Sequence, residues 1–82
     1  MRLPRDLSGR EVARLLTRHY GYRVARTQGS HMTVMLTVGT DRHSVTVPRH
    51  RDIRAGTLDA IAGDVAKFLR LSKREVRETL FG

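Results

Sequence analysis

The sequence predicts an α+β fold of two layers: a helix, a three-stranded antiparallel meander, a second helix, and an extra short C-terminal helix. Three observations carry this reading. Ser8-Gly9-Arg10-Glu11 is a capping box placed just ahead of apolar residues at helical spacing. His31 to Val38 alternates cleanly between two turn signals, Gly29-Ser30 and Gly39-Thr40. Leu58, Ile61, Ala62, Val65, Phe68 and Leu69 then return to helical spacing.

The first helix is set by Ser8, whose hydroxyl is expected to accept from the Glu11 amide while Glu11 reaches back. Val12, Leu15, Leu16 and His19 or Tyr20 form its apolar stripe, and Gly21 is its left-handed stop. Arg10, Arg14 and Arg18 fall on the opposite face. That row reads first as a solvated face, with phosphate tracking as the alternative.

Tyr22 to Thr27 predicts the first strand, with Tyr22 and Val24 on one side. After the Gly29-Ser30 turn, Met32, Val34, Leu36 and Val38 face one way, and His31, Thr33, Met35 and Thr37 the other. The second set is mostly polar, so the sheet should have one covered and one open face, with His31 on the open one. Gly39-Thr40-Asp41-Arg42 reads as a hairpin loop. His43 to Val47 returns with Val45 and Val47 inward and Ser44 and Thr46 outward, and Pro48 ends the ladder because it lacks an amide proton.

Arg49 to Gly56 reads as a basic loop with Thr57 as the N-cap of the second helix. That helix should run on through Gly63 at a cost of about 1 kcal/mol. Ser72-Lys73-Arg74-Glu75 is a second capping box, and Val76, Leu80 and Phe81 supply the apolar side of a short third helix. Stacking helices against a meander gives the two-layer sandwich.

At 82 residues the chain allows one small domain, 1–82, with little room for a deep pocket. The formal net charge is +8 and comes from arginine, since only Lys67 and Lys73 are lysines. Guanidinium forks suit phosphate. Nucleic acid is therefore the foremost expected partner. An anionic membrane surface, or charge serving solubility alone, are the alternatives. The lack of tryptophan argues against a platform that stacks several bases. Cysteine is absent, which excludes disulfides and cysteine-based zinc sites and fits a reducing compartment. No apolar run nears the roughly 20 residues of a membrane helix. Met1 to Asp6 carries no apolar signal region, so a cytoplasmic location is expected.

Four histidines remain to be placed. They contain no HxH or HxxxH pair, so no metal is expected. His19 reads as structural or exposed, His43 as half-buried at a strand edge, and His50 as a loop residue that touches phosphate or is simply solvated. His31 stands directly behind a tight turn. An imidazole, with an ordinary pKa of about 6.5, can exchange a proton near neutral pH. RNA cleavage needs a base for the ribose 2′-hydroxyl and an acid for the leaving 5′-oxygen. Arginines such as Arg26 and Arg49, and turn amides, can stabilise the phosphate charge. Local chemistry leaves His31 open between this role and that of an exposed turn histidine.

Leu3-Pro4-Arg5-Asp6-Leu7-Ser8-Gly9-Arg10-Glu11, Gly21-Tyr22 with Gln28-Gly29-Ser30-His31, Val45-Thr46-Val47-Pro48-Arg49-His50, and Gly56-Thr57-Leu58 with Ile61 occur in this order. Together they resemble the HicA toxins. The resemblance implies an α-β-β-β-α fold like the double-stranded-RNA-binding domain, with a core at about 3–70 and a helical extension at about 71–82. It implies an mRNA interferase that needs no metal or cofactor. Its partner would be a HicB-type antitoxin that blocks the active site. His31 matches the catalytic histidine of the Gly-Ser-His signature, Gly29 and Ser30 the motif residues that shape the site, and His50 a further motif position. The extension, with Leu80-Phe81, would cover an apolar edge, form a homodimer or dock the antitoxin. Two other readings stay open: a non-catalytic RNA-binding module of the same fold, and a protein-interaction domain with an acidic partner.

Overall fold

A computed structural model describes residues 6–82, so Leu3-Pro4-Arg5 of the opening motif lie outside the described residues. The order is α1 (Gly9–Tyr20), β1 (Arg23–Gln28), β2 (His31–Val38), β3 (Asp41–Pro48), α2 (Ala55–Leu69) and α3 (Lys73–Phe81). The strands form one antiparallel sheet in the order β1-β2-β3. Met32, Val34, Val45 and Val47 of the sheet share one buried cluster with Val12, Leu16, Leu58 and Val65 of the helices. The predicted α+β sandwich is the one observed.

The capping box at α1 forms in both directions: Ser8 Oγ accepts from the Glu11 amide at 3.1 Å, and Glu11 Oε1 from the Ser8 amide at 3.2 Å. Two orphan donors are thereby satisfied at the helix start. Val12, Ala13 and Leu16 are buried while His19 is exposed. The Gly21 amide closes the helix on the Leu16 and Thr17 carbonyls.

Tyr22 lies in the link before β1 and is fully buried. Its hydroxyl is hydrogen-bonded to His43 Nδ1 at 2.7 Å, and the imidazole stacks on Phe68 at 4.8 Å and 11°. Burial above all, then the Asp64 charge, pushes the Tyr22 pKa up to about 12. His43 thus has the expected half-buried role, tying β3 to both α2 and the end of α1.

Four expectations need correction. Val24 pairs with buried Val34 and so faces the helices, yet it is 50% exposed because it sits on a free sheet edge. Val38 is likewise exposed, at the hairpin end beyond the helices' cover. The second hairpin turn is only Gly39-Thr40, since Asp41 already pairs with Val38 and Arg42 with Thr37. Finally, α2 begins at Ala55 behind Arg54, not at a Thr57 cap. The Leu58 amide bonds to the Arg54 carbonyl at 3.0 Å, so the first turn closes upstream of the threonine hydroxyl. The loop before it is anchored by Ile53, which is buried and donates its amide to the Leu7 carbonyl at 2.8 Å.

At α3, Ser72 Oγ accepts from the Glu75 amide at 3.0 Å. Val76, Leu80 and Phe81 are buried in the common core. The C-terminal segment therefore covers an apolar edge of the chain's own helical layer, the first of its three expected roles. Asp59 of α2 holds both Lys73 and Arg77 of α3 at 2.8 Å. Hydrogen bonds from Lys73 and then Arg77 keep its carboxyl below the ordinary aspartate value.

Two expected outcomes follow from this packing. A Cβ on Gly9 would overlap the Pro48 carbonyl oxygen, whereas one on Gly29 meets nothing and only strains a φ of +58°. Gly9→Ala should thus lower the unfolding free energy read from a urea titration by at least the about 1–3 kcal/mol of overpacking, and Gly29→Ala by about 1–2 kcal/mol. For Asp59 the folded pKa is depressed, so its pairing contributes fully above the unfolded pKa and is lost as pH falls through the folded value. Asp59→Asn should lower the melting temperature near neutral pH, with the difference from the parent protein vanishing at the acid end of the titration.

Candidate nucleic-acid interface

Gly29, Ser30, His31, Arg49 and His50 come together at one end of the sheet. Gln28 pairs with His31 across the first turn, and His31 pairs with Pro48 across to β3. Arg49 then doubles back onto the turn. Its amide donates to the Ser30 carbonyl at 2.6 Å and its guanidinium to the Gly29 carbonyl at 3.1 Å. The turn needs this bracing because Gly29 holds a left-handed φ and the segment is exposed.

The His31 imidazole is exposed on the open face. Its Nδ1 lies 3.4 Å from Ser30 Oγ, a long hydrogen bond that leaves Nε2 as the ring nitrogen free to act. His50 is exposed too, but its carbonyl is engaged, accepting from the Gly9 amide at 2.9 Å. The start of α1 is thereby pinned directly behind the end of β3, where Pro48 leads into Arg49.

Arg26 reaches the open face by way of a bulge. The β1–β2 register shifts between Val24 and Arg26, so Val24 opposes Val34 but Arg26 opposes Thr33. Strict alternation from Val24 would turn Arg26 toward the helices. The extra residue, Ala25, reverses the parity. Arg26 then stands on the same face as His31, diagonal to it across the ladder.

Two arginines not singled out as site residues join this face. Arg23 opposes Met35, and Arg42 opposes Thr37. Both were legible by parity: Arg23 is out of phase with Tyr22, and Arg42 is in phase with Ser44 and Thr46. Reading Arg42 as loop hid it. The row Arg10, Arg14 and Arg18 lies instead in the helical layer, where it lines two clefts of about 280 and 200 Å³ beside Val24 and Leu15.

Charge is sorted by layer. The open-face positions opposite one another in the register, from Arg23–Met35–Ser44 to Gln28–His31–Pro48, include no acidic residue. Asp59 and Asp64 lie on α2, Glu75 and Glu78 on α3, and Glu11 on α1. No helix among the described residues is long and apolar enough to cross a membrane. Among the same residues, no three His, Asp or Glu side chains gather to form a metal-binding group.

The family model described as the HicA toxin of bacterial toxin–antitoxin matches residues 9–68, from the start of α1 almost to the end of α2. The matched stretch contains every residue of the site. No curated protein and no solved structure matches the chain.

The Arg49 clamp is testable on its own. Arg49→Ala removes the guanidinium bond to Gly29 and keeps the backbone bond to Ser30. It should lower global stability by no more than about 0.5–1.5 kcal/mol. Amide hydrogen exchange at Ser30 and His31 should quicken well beyond that seen in the buried part of β2.

Proposed function

The chain belongs to the HicA toxin family, and from that premise we propose that it is an endoribonuclease that cleaves mRNA by histidine general acid/base catalysis. In this reading no metal takes part. Membership of the family implies an antitoxin partner, which we take to be of the HicB type and to act by covering His31. The substrate places the action in the cytoplasm.

One observation carries the reading. An exposed imidazole stands on a turn that is braced by Arg49, at the end of a sheet face rich in arginine and free of acid. Metal-free RNA cleavage can use such an arrangement, an acid/base group beside cations that stabilise the phosphate charge. His31 Nε2 takes the proton of a ribose 2′-hydroxyl, and the freed 2′-oxygen attacks phosphorus. The bond to the 5′-oxygen breaks, that oxygen takes a proton from solvent water, and His31 returns to solvent the proton it took. The products are a 2′,3′-cyclic phosphate and a 5′-hydroxyl. Arg49 uses one of its five donors on Gly29, so the rest of the fork is available to the phosphate charge. Gly29 and Ser30 shape the turn, and Arg26 and His50 flank it as binding residues.

A positioned acid/base group contributes about 10²–10⁴-fold to rate. His31→Ala should therefore cut cleavage of single-stranded RNA by about that factor, and abolish toxicity, with an unchanged circular dichroism spectrum. A purified variant that cleaves like the parent protein would overturn the assignment. It would move the catalytic role to another residue, whereas a parent protein that shifts RNA in a gel without cutting it would leave the non-catalytic RNA-binding module as the reading of this fold.

A further inference from the structure

We propose that the open face of the sheet is a track for single-stranded RNA leading to His31, with Arg23, Arg26 and Arg42 holding phosphates and the hydroxyls of Thr33, Ser44 and Thr46 contacting ribose. The proposal rests on the ribonuclease reading and adds to it a path and a strand state for the substrate.

The floor of the track is a trough of about 530 Å³, lined by Ala25, Arg26, Thr33, Met35, Ser44 and Thr46. That volume lies within the about 300–1,000 Å³ range of ligand clefts. The trough is continuous with the catalytic end, because Thr33 is the next open-face residue of β2 after His31 and its partner Thr46 the next of β3 before Pro48. The β1 bulge brings Ala25 and Arg26 into its lining. Arg23 and Arg42 stand on opposite edges of the sheet further along, so a strand lying between them is flanked by positive charge on both sides.

The lining chooses the contact chemistry. No aromatic ring lies in the trough, so base stacking supplies little of the affinity. Small hydroxyl side chains suit the 2′-hydroxyl, the group that distinguishes RNA from DNA. Arginine suits phosphate. Recognition by ribose and phosphate is tolerant of sequence.

The cleavage chemistry chooses the strand state. Attack by the 2′-oxygen needs it in line with the bond from phosphorus to the 5′-oxygen, a near-attack geometry. An A-form helix holds its riboses away from that alignment. A single strand can be splayed into it. A trough on the open face next to the braced turn serves that purpose.

The test measures binding apart from cleavage. The probe is a labelled single-stranded RNA oligonucleotide, titrated with the non-cleaving His31→Ala protein. The same-sequence duplex RNA and single-stranded DNA serve as comparisons. Adding Arg23→Gln and Arg42→Gln should weaken single-strand binding by about tenfold at low salt, and lower the log–log salt slope by about 0.7 per arginine. Adding Arg14→Gln and Arg18→Gln, equal in charge, should change it less than twofold. Thr33→Val with Thr46→Val keeps the β-branched shape and should narrow the preference for RNA over DNA. Tighter binding of the duplex, or loss of binding with the α1 arginines and not with the sheet arginines, overturns the track. Normal binding through the sheet face by a parent protein that does not cleave RNA overturns the catalytic reading and leaves the track standing.

Discussion

Gly9 carries no side chain because the Pro48 carbonyl oxygen occupies the space a Cβ would need. At that contact the first residue of α1 lies flat against the end of β3, and its amide bonds to the His50 carbonyl. The next link runs from Arg49 to Ser30 and Gly29, and from there into His31. Three elements distant in sequence are therefore joined by backbone groups. Main-chain donors and acceptors must find partners, so the junction tolerates little rearrangement. His31 is exposed, but the ground it stands on is not loose. An imidazole on a free turn would lose far more rotational freedom on engaging a substrate, and prior bracing of its backbone reduces that cost.

The two faces of the sheet then divide the work. The inner face is Met32, Val34, Val45 and Val47, all buried, and it holds α1 and α2 in place. The outer face carries arginine, threonine and serine. A chain with net charge +8 could have spread its cations evenly, which would favour solubility and give no directional field. Here the acidic residues sit largely on the helices, where Asp59 also ties α2 to α3. The positive charge is thus concentrated on the face that carries the imidazole.

The helices and the direction of each strand were legible because they depend on local spacing. Ser8 and Glu11 need only one another to cap α1, and β2 alternates without interruption. The site residues Gly29, Ser30 and His31 stood out because glycine and serine mark a turn by their own conformational preferences. Less legible were features set by partners. The Ala25 bulge exists only in the pairing of β1 with β2, and nothing in Arg23–Gln28 announces it. Ile53 sits among charged residues, and its burial depends on Leu7. Thr57 looked like a cap by residue type, but the turn was closed upstream by a backbone bond from Leu58 to Arg54. The tie from Arg49 to Gly29 likewise joins residues twenty apart and has no local signature.

The open face also depends on α3, at the far side of the molecule. Small domains have little apolar area to bury, and a bare helical layer would have to recruit another surface to cover it. Val76, Leu80 and Phe81 do this within the chain, each burying an apolar side chain at about 1.5–3 kcal/mol in the ideal case. The apolar pair at the C-terminus is therefore engaged in the core and not offered to a second copy. With its core closed by its own residues, the domain can leave one entire sheet face polar and uncovered. What approaches that face meets guanidinium, hydroxyl and imidazole groups and very little apolar surface. Association there is governed by charge and hydrogen bonding, and so by salt, in a way that a groove lined with aromatic rings would not be.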